Sequence, residues 1–162
     1  MNCSSGQDAR RRDRHGWNDL DHYLSIHFAQ LKRLGEYIVE RDELEIDLTD
    51  ADTLRIKGRI YCVHSLFLDV AKTLEINDRH QVRTIRYKYH AGILGETPRS
   101  IFRYDNAHPY TEHPDDHHKH FYDLVTWQEV DPPQWVGRNA LPTLAEVLEE
   151  LYDWWNETGQ FL

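Results

Sequence analysis

Histidine, arginine and aspartate side chains are concentrated in one segment, residues 99–122, which reads RSIFRYDNAHPYTEHPDDHHKHFY. Its histidines fall within thirteen residues: His108, His113, His117, His118 and His120. Imidazole exchanges protons near neutral pH, and guanidinium or ammonium groups stabilise the negative charge of a phosphorane. The segment therefore carries the groups that phosphodiester cleavage needs, and an RNA 2′-hydroxyl acting as nucleophile would make a metal ion unnecessary.

The elements that position these groups are predicted to be neighbouring strands. Apolar and polar residues alternate in residues 82–90, and residues 100–105 read as the next strand. Side chains two apart on a strand share a face, so Arg103 lies beside Asp105. If the strands pair, charged groups from both converge near the strand ends. The predicted catalytic residues are Arg103, Asp105, His118 and His120, and the predicted substrate-binding residues are Arg86, Lys88, His90, Asn106, His108 and Lys119.

Each of these groups also has a structural interpretation. Arg103 with Asp105 is a common ion pair on a sheet face, and Asn106 after a strand is a common turn residue. A metal site is a third interpretation, with His118 and His120 as ligands beside His108 or Asp105. No HExxH-like spacing accompanies them, and Lys119 would repel a cation if it faced the site. We therefore predict no metal and no cofactor.

Composition and charge limit the class of protein. A chain of 162 residues is most simply one domain, and no apolar run approaches the length of a membrane span. The net charge of −9 argues against indiscriminate nucleic-acid binding, although the bases cluster in the middle and the acids near the end. Residues 1–16 lack a secretory signal and are predicted to be a disordered tail. Cys3 and Cys62 form no metal or redox motif, which favours a cytoplasmic location.

The fold is predicted to be α+β, with residues 17–162 forming one domain. Asn18 or Asp19 caps an amphipathic helix that ends near Gly35. Short connections between the following strands predict a mainly antiparallel sheet of four or five strands, and the Pro132-Pro133 pair is expected to end the last one. Thr143 and Glu146 form a capping box that begins a C-terminal helix. The sheet is thus flanked by a helix near each end of the chain.

Three stretches give the chain a resemblance to a known family. They are Tyr87-Lys88-Tyr89-His90, then Phe102-Arg103-Tyr104-Asp105-Asn106-Ala107-His108, and then His118-Lys119-His120. Together with the C-terminal helix, they resemble the TumE-like toxins of bacterial and archaeal toxin–antitoxin modules, over roughly residues 20–155. The family pattern usually reads RYDNAPHH and PHHKH, so the proline is displaced here and one histidine is missing. The resemblance implies a cognate antitoxin, expected to carry a helix-turn-helix.

These observations lead to a first hypothesis and two alternatives. In the first, the chain is a type II toxin that cleaves RNA without a metal. His118 and His120 are then acid and base, Arg103 and Lys88 hold phosphate, and Asp105 orients a histidine. The alternatives are a non-catalytic module that binds nucleic acid or protein, and a metal-dependent hydrolase with histidine ligands. Small ribonuclease toxins of the RelE type also combine a sheet with flanking helices, which is an analogy of fold only.

Overall fold

The computed structural model describes residues 16–109 and 112–162. It is an α+β protein with a helix near each end of the described chain and an antiparallel sheet between them. The predicted tail, residues 1–16, lies outside the described residues except for Gly16, as does Cys3, so its disorder stays a prediction. None of the helices in the described part of the chain is long and apolar enough to cross a membrane.

Local capping signals set the boundaries of both long helices. Helix α1 (Leu20–Leu34) begins after Asp19, whose carboxylate accepts a hydrogen bond from His22 N, and Gly35 follows its last turn. Helix α2 (Leu144–Glu157) begins with the predicted capping box, in which Thr143 and Glu146 each accept the other's backbone N–H. Both boundaries agree with the sequence prediction because each depends on contacts within a single turn.

The sheet is larger than the predicted four or five strands. Within the described residues it has nine strands, all paired antiparallel. Their bounds are β1 (Asn18–Asp19), β2 (Val39–Asp42), β3 (Glu45–Asp50), β4 (Thr53–Cys62), β5 (Leu66–Ile76), β6 (Gln81–Ile93), β7 (Arg99–Asp105), β8 (His118–Tyr122) and β9 (Glu129–Trp135).

The order of the strands in the sheet explains why there are more of them than predicted. The main path is β2-β4-β5-β6-β7-β8-β9, while β3 pairs with the other half of β4 and β1 pairs with the start of β6. Strand β9 runs through Pro132 and Pro133, so the prediction that these prolines end the strand is wrong. Proline is tolerated in β9 because this strand lies at the end of the path, as is usual at sheet edges, and the β8–β9 register shifts opposite the prolines, between Lys119 and Phe121.

Gly58 allows β2 and β3 to share β4 as a partner. The chain passes from β2 to β3 directly over Gly58, and a Cβ atom there would overlap the Glu43 carbonyl. Gly58 also has a φ of 142°, which strongly disfavours residues with a side chain. The sequence predicted a bulge or bend at this glycine, but the pairing of β4 with β5 continues through it without a register shift.

The two faces of the sheet have different surroundings. One face packs against α1 and α2 through a core of aliphatic and aromatic side chains, among them Leu34, Leu68, Tyr89, Phe102 and Leu148. The opposite face carries charged side chains on its central strands. Sequence alternation distributes them there because apolar residues occupy every second position of β4 and of much of β5 to β7. This second face positions most of the predicted site.

Candidate functional site on the charged face

Six predicted site residues form two rows across three neighbouring strands. In one row Lys88 of β6, Asp105 of β7 and His118 of β8 are register partners. In the other, His90, Arg103 and His120 are partners on the same strands. Residues directly opposite each other in a sheet share a face, so all six lie on the face away from the helices. The structure thus brings together residues that are thirty-two positions apart in the chain.

Asp105 is the centre of a hydrogen-bonded cluster on this face. Its Oδ2 accepts a hydrogen bond of 2.7 Å from Arg103 Nε and lies 3.3 Å from His120 Nε2. Its Oδ1 accepts a bond of 3.1 Å from the backbone N–H of Ala107. The Asp105 side chain is 3% exposed, so these contacts replace water around a buried carboxylate.

Glu129 and Tyr122 join the cluster, although the sequence reasoning missed both. Glu129 Oε1 lies 2.5 Å from His120 Nδ1, and its Oε2 lies 3.9 Å from Arg103 Nη1. Arg103 Nη1 donates a hydrogen bond of 3.3 Å to the Tyr122 hydroxyl. Tyr122 lies two residues after His120 on β8, a spacing that does indicate a shared face. Glu129 has no such local signal, because only the β8–β9 pairing brings it opposite Tyr122.

Burial divides the cluster into an inner and an outer part. His118 and His120 are 1% and 3% exposed, so neither contacts solvent. His118 Nδ1 is 2.9 Å from the Asp116 carbonyl, and its ring centroid is 5.5 Å from that of His113. The Arg103 and Glu129 side chains remain 19% and 33% exposed. A substrate on this face would therefore meet the outer pair, with the two histidines behind it.

His90 lies beside the outer pair, across from Arg103 on β6. Its Nε2 is 2.8 Å from the Ser100 hydroxyl, and its side chain is 24% exposed. Burial lowers the pKa of His90 below its ordinary value of 6.5; nearby Lys88 and Arg103 act in the same direction, and Asp69 opposes them. The neutral imidazole is therefore the main form at neutral pH, and the imidazolium forms on the acidic side.

Asn106 extends the sheet beyond the end of β7. Its side-chain oxygen accepts a hydrogen bond of 2.9 Å from Tyr87 N, and its side-chain nitrogen donates one of 3.0 Å to the Ile85 carbonyl. These two side-chain hydrogen bonds replace the backbone hydrogen bonds that β6 would form if β7 continued. Asn106 therefore fixes the turn after Asp105 and points its polar atoms at the backbone of β6.

Two predicted binding residues lie away from the cluster. Lys119 faces the helix side, where its ammonium forms an ion pair with Glu150 and lies over the rings of Phe102, Tyr104 and Phe121. Successive side chains of β8 point to opposite faces of the sheet, so Lys119 points away from the face that carries His118 and His120. His108 is exposed in the segment after β7. Neither side chain is part of the two rows.

Basic side chains continue the rows over the rest of this face. We call the following set the basic face: Arg55, Lys57, Arg59, Arg86, Lys88 and Arg103. Arg59 and Asp69 form a bidentate pair at 2.6 and 2.9 Å, and Lys57 lies 3.7 Å from Glu45. Arg55, Arg86 and Lys88 are exposed and form no ion pair with another described residue. Although the net charge of the chain is −9, this face thus offers three bases that have no ion-pair partner among the described residues.

The geometry also bears on metal binding. Within residues 16–109 and 112–162, no three His, Cys, Asp or Glu side chains are grouped as a metal ion would require. The ring nitrogens of His120 instead contact two carboxylates, and that arrangement suits proton transfer and hydrogen bonding. The cluster contains two carboxylates, a guanidinium and imidazoles.

One comparison with known proteins gives a result. Residues 28–157 match the family model described as Toxin TumE, and this range includes the basic face and all of the cluster. Neither a curated protein nor a solved structure matches the chain.

Proposed function

The chain belongs to the TumE toxin family, and we propose that it acts as an endoribonuclease that needs no metal ion. The family identifies the protein as a toxin and implies a cognate antitoxin as its partner. The antitoxin that we propose carries a helix-turn-helix domain, and the proposed place of action is the cytoplasm. The observation that carries the proposal is the position of Arg103 and Glu129 at the end of the basic face.

RNA binding is supported by the separation of charge. Three exposed bases offer contacts to phosphates, which dominate the affinity of proteins for nucleic acids. They are Arg55, Arg86 and Lys88, none of which forms an ion pair with another residue of ranges 16–109 and 112–162. The acidic residues of α2 lie on the opposite side of the sheet. An RNA strand approaching this molecule is attracted to one face and repelled from the other.

The chemistry that we propose is attack by a 2′-hydroxyl on the neighbouring phosphate. Glu129 Oε2 accepts the proton of the 2′-hydroxyl, and the Arg103 guanidinium stabilises the charge that develops on the phosphate. The bond from phosphorus to the 5′-oxygen breaks, and this oxygen takes its proton from the imidazolium form of His90, which is the minor form at neutral pH and becomes populated on the acidic side. The products are a 2′,3′-cyclic phosphate and a 5′-hydroxyl, so atoms and charge balance without a co-reactant.

The buried residues have positioning roles in this proposal. His120 holds Glu129 Oε1 at 2.5 Å, which directs Oε2 towards Arg103. Asp105 holds Arg103 through Nε and contacts the far nitrogen of His120, so it fixes both members of the outer pair. His118, which is 1% exposed, holds the chain before β8 through its contacts with the Asp116 carbonyl and the His113 ring. The sequence hypothesis of His118 and His120 as acid and base thus becomes a proposal of positioning.

The test is cleavage of a defined RNA by the pure, tag-free protein with and without a chelator, with analysis of the product ends. We expect cleavage that survives the chelator and leaves 2′,3′-cyclic phosphates. Glu129→Gln keeps the shape and the contact to His120, and it is expected to lower the rate by about 10² to 10⁴-fold, as loss of a general base does.

The matched control is Glu157→Gln, an exposed residue at the end of α2 that should leave cleavage unchanged. Intact RNA with every protein, together with RNA binding that weakens as salt rises, would instead establish the non-catalytic binding module. Cleavage that the chelator abolishes would establish the metal-dependent alternative.

A further inference from the structure

A cleft on the helix side of the sheet is separate from the candidate site. It lies between α1, the start of α2 and strands β4 to β6, and it has a volume of about 160 Å³. Aliphatic side chains form its walls, among them Ile56, Val70 and Leu144. An apolar cavity of about 150 Å³ accommodates a molecule the size of benzene, so this cleft has room for one small ring.

Lys72 brings a positive charge into this apolar cleft. Its Nζ donates a hydrogen bond of 2.6 Å to the Tyr23 hydroxyl and lies 5.0 Å from the centre of that ring. Tyr89 lies close enough for its hydroxyl to interact electrostatically with Lys72. Lys72 forms no ion pair with a carboxylate of the described residues. A partly buried ammonium without a counter-charge is costly, and an anion in the cleft would compensate it.

His27 supplies a second polar group to the same cleft. Its side chain is 7% exposed, and Nε2 has no hydrogen-bond partner among the described residues. Burial lowers the pKa of His27, and Lys72 lowers it further while Asp42 opposes them. A neutral imidazole can place its proton on Nε2 and donate a hydrogen bond. Buried polar atoms are nearly always paired. An imidazole N–H without an acceptor, in the same cleft as an ammonium that has no carboxylate partner among the described residues, therefore indicates a missing acceptor.

We propose that this cleft binds a small organic monoanion, namely a carboxylate on a single ring or short apolar chain. The carboxylate accepts hydrogen bonds from Lys72 Nζ and His27 Nε2, and the apolar body contacts the aliphatic walls. Both parts of the ligand follow from the lining. Lys72 and His27 supply hydrogen-bond donors, and aliphatic and tyrosine side chains form most of the remaining wall, beside the polar Asn18, Gln30, Thr84 and Thr143. The site is on the face opposite Arg103 and Glu129, so it is independent of the proposed cleavage reaction.

The experiment is a calorimetric titration of the full chain with benzoate and with its neutral analogue benzamide. We expect one benzoate to bind per chain and benzamide to bind at least about tenfold more weakly, because a hydrogen bond to a charged group contributes more than the 1.4 kcal/mol that a factor of ten requires. Lys72→Met keeps the length of the side chain and should weaken benzoate binding by a similar factor. Lys57→Met, on the basic face, is the matched control and should bind like the wild type.

A measurement on the wild type keeps the test independent of how the variants fold. Benzoate should shift the methyl resonances of Ile56, Val70 and Leu144 in NMR spectra. Absence of binding, equal binding of benzamide, or shifts confined to the basic face would each overturn the proposal. So would unchanged binding by a folded Lys72→Met protein. None of these results affects the proposal of RNA cleavage.

Discussion

Asp105 and His120 meet inside the charged face, with Oδ2 of the carboxylate 3.3 Å from Nε2 of the imidazole. Because the same oxygen accepts the bond from Arg103, one buried carboxylate joins the guanidinium to the imidazole. The other imidazole nitrogen contacts Glu129. A continuous series of side-chain contacts therefore runs through Arg103, Asp105, His120 and Glu129. It begins and ends at partly exposed groups.

Asp105→Asn is predicted to be strongly destabilising. It removes the closer of the two carboxylates beside Arg103, whose side chain is 19% exposed, and leaves only Glu129 at 3.9 Å. Breaking a buried pair in this way costs about 3 kcal/mol. The measurement is the free energy of unfolding in urea. Asp69→Asn is the matched control on the same face, because Asp69 and Arg59 are more exposed, at 38% and 32%, and should cost less than about 1 kcal/mol. Equal losses for the two variants would contradict the central role of Asp105.

Arg86→Gln and Lys88→Gln are predicted to weaken RNA binding without changing stability. Both side chains are exposed and form no ion pair with a described residue. Each lost phosphate contact on a single strand should lower the slope of log affinity against log salt by about 0.7. Lys32→Gln, an exposed lysine on α1, serves as control. A similar effect of Lys32→Gln would show that net charge, and not the basic face, governs binding.

Acid is predicted to destabilise the fold through one buried and two partly buried histidines. Burial is the largest cause that lowers the pKa values of His27, His90 and His117 below 6.5. Folding therefore favours their neutral forms, and this stabilisation is complete above about pH 6.5. It is lost as the pH falls from 6.5 towards the lowered values. His90→Gln should reduce the dependence of unfolding free energy on pH in this interval, and an unchanged dependence would refute the assignment of His90.

Gly58→Ala is predicted to destabilise the protein by about 2 kcal/mol or more, because it adds a Cβ to a residue with a φ of 142° and against the Glu43 carbonyl. Thermal unfolding would measure the loss. Gly95→Ala is the matched control, since the nearest atom to its added Cβ is 3.7 Å away. A Gly58→Ala protein as stable as the Gly95→Ala protein would mean that the β2–β3 connection can move away from β4.

The local part of the fold was predictable because its causes are local. Asp19 and the Thr143–Glu146 box lie within a turn of the N–H groups that they cap, so their signals survive in any tertiary context. The two-residue period placed Arg103 beside Asp105 for the same reason. The number of strands was not predictable, since β2 and β3 divide one partner strand and β9 depends on β8 for its pairing.

The sequence by itself indicated that arginine, aspartate and histidine side chains form the site and that Arg103 and Asp105 share a face. The tertiary structure decided which of these side chains are exposed and therefore accessible to a bound molecule. His118 and His120 are buried, and Lys119 faces away to Glu150. Glu129 reaches His120 because two strands pair, and no local pattern records that contact. The direction of a side chain follows a period of two along any strand. Its burial and its hydrogen-bond partners, in contrast, depend on residues that are distant in the chain.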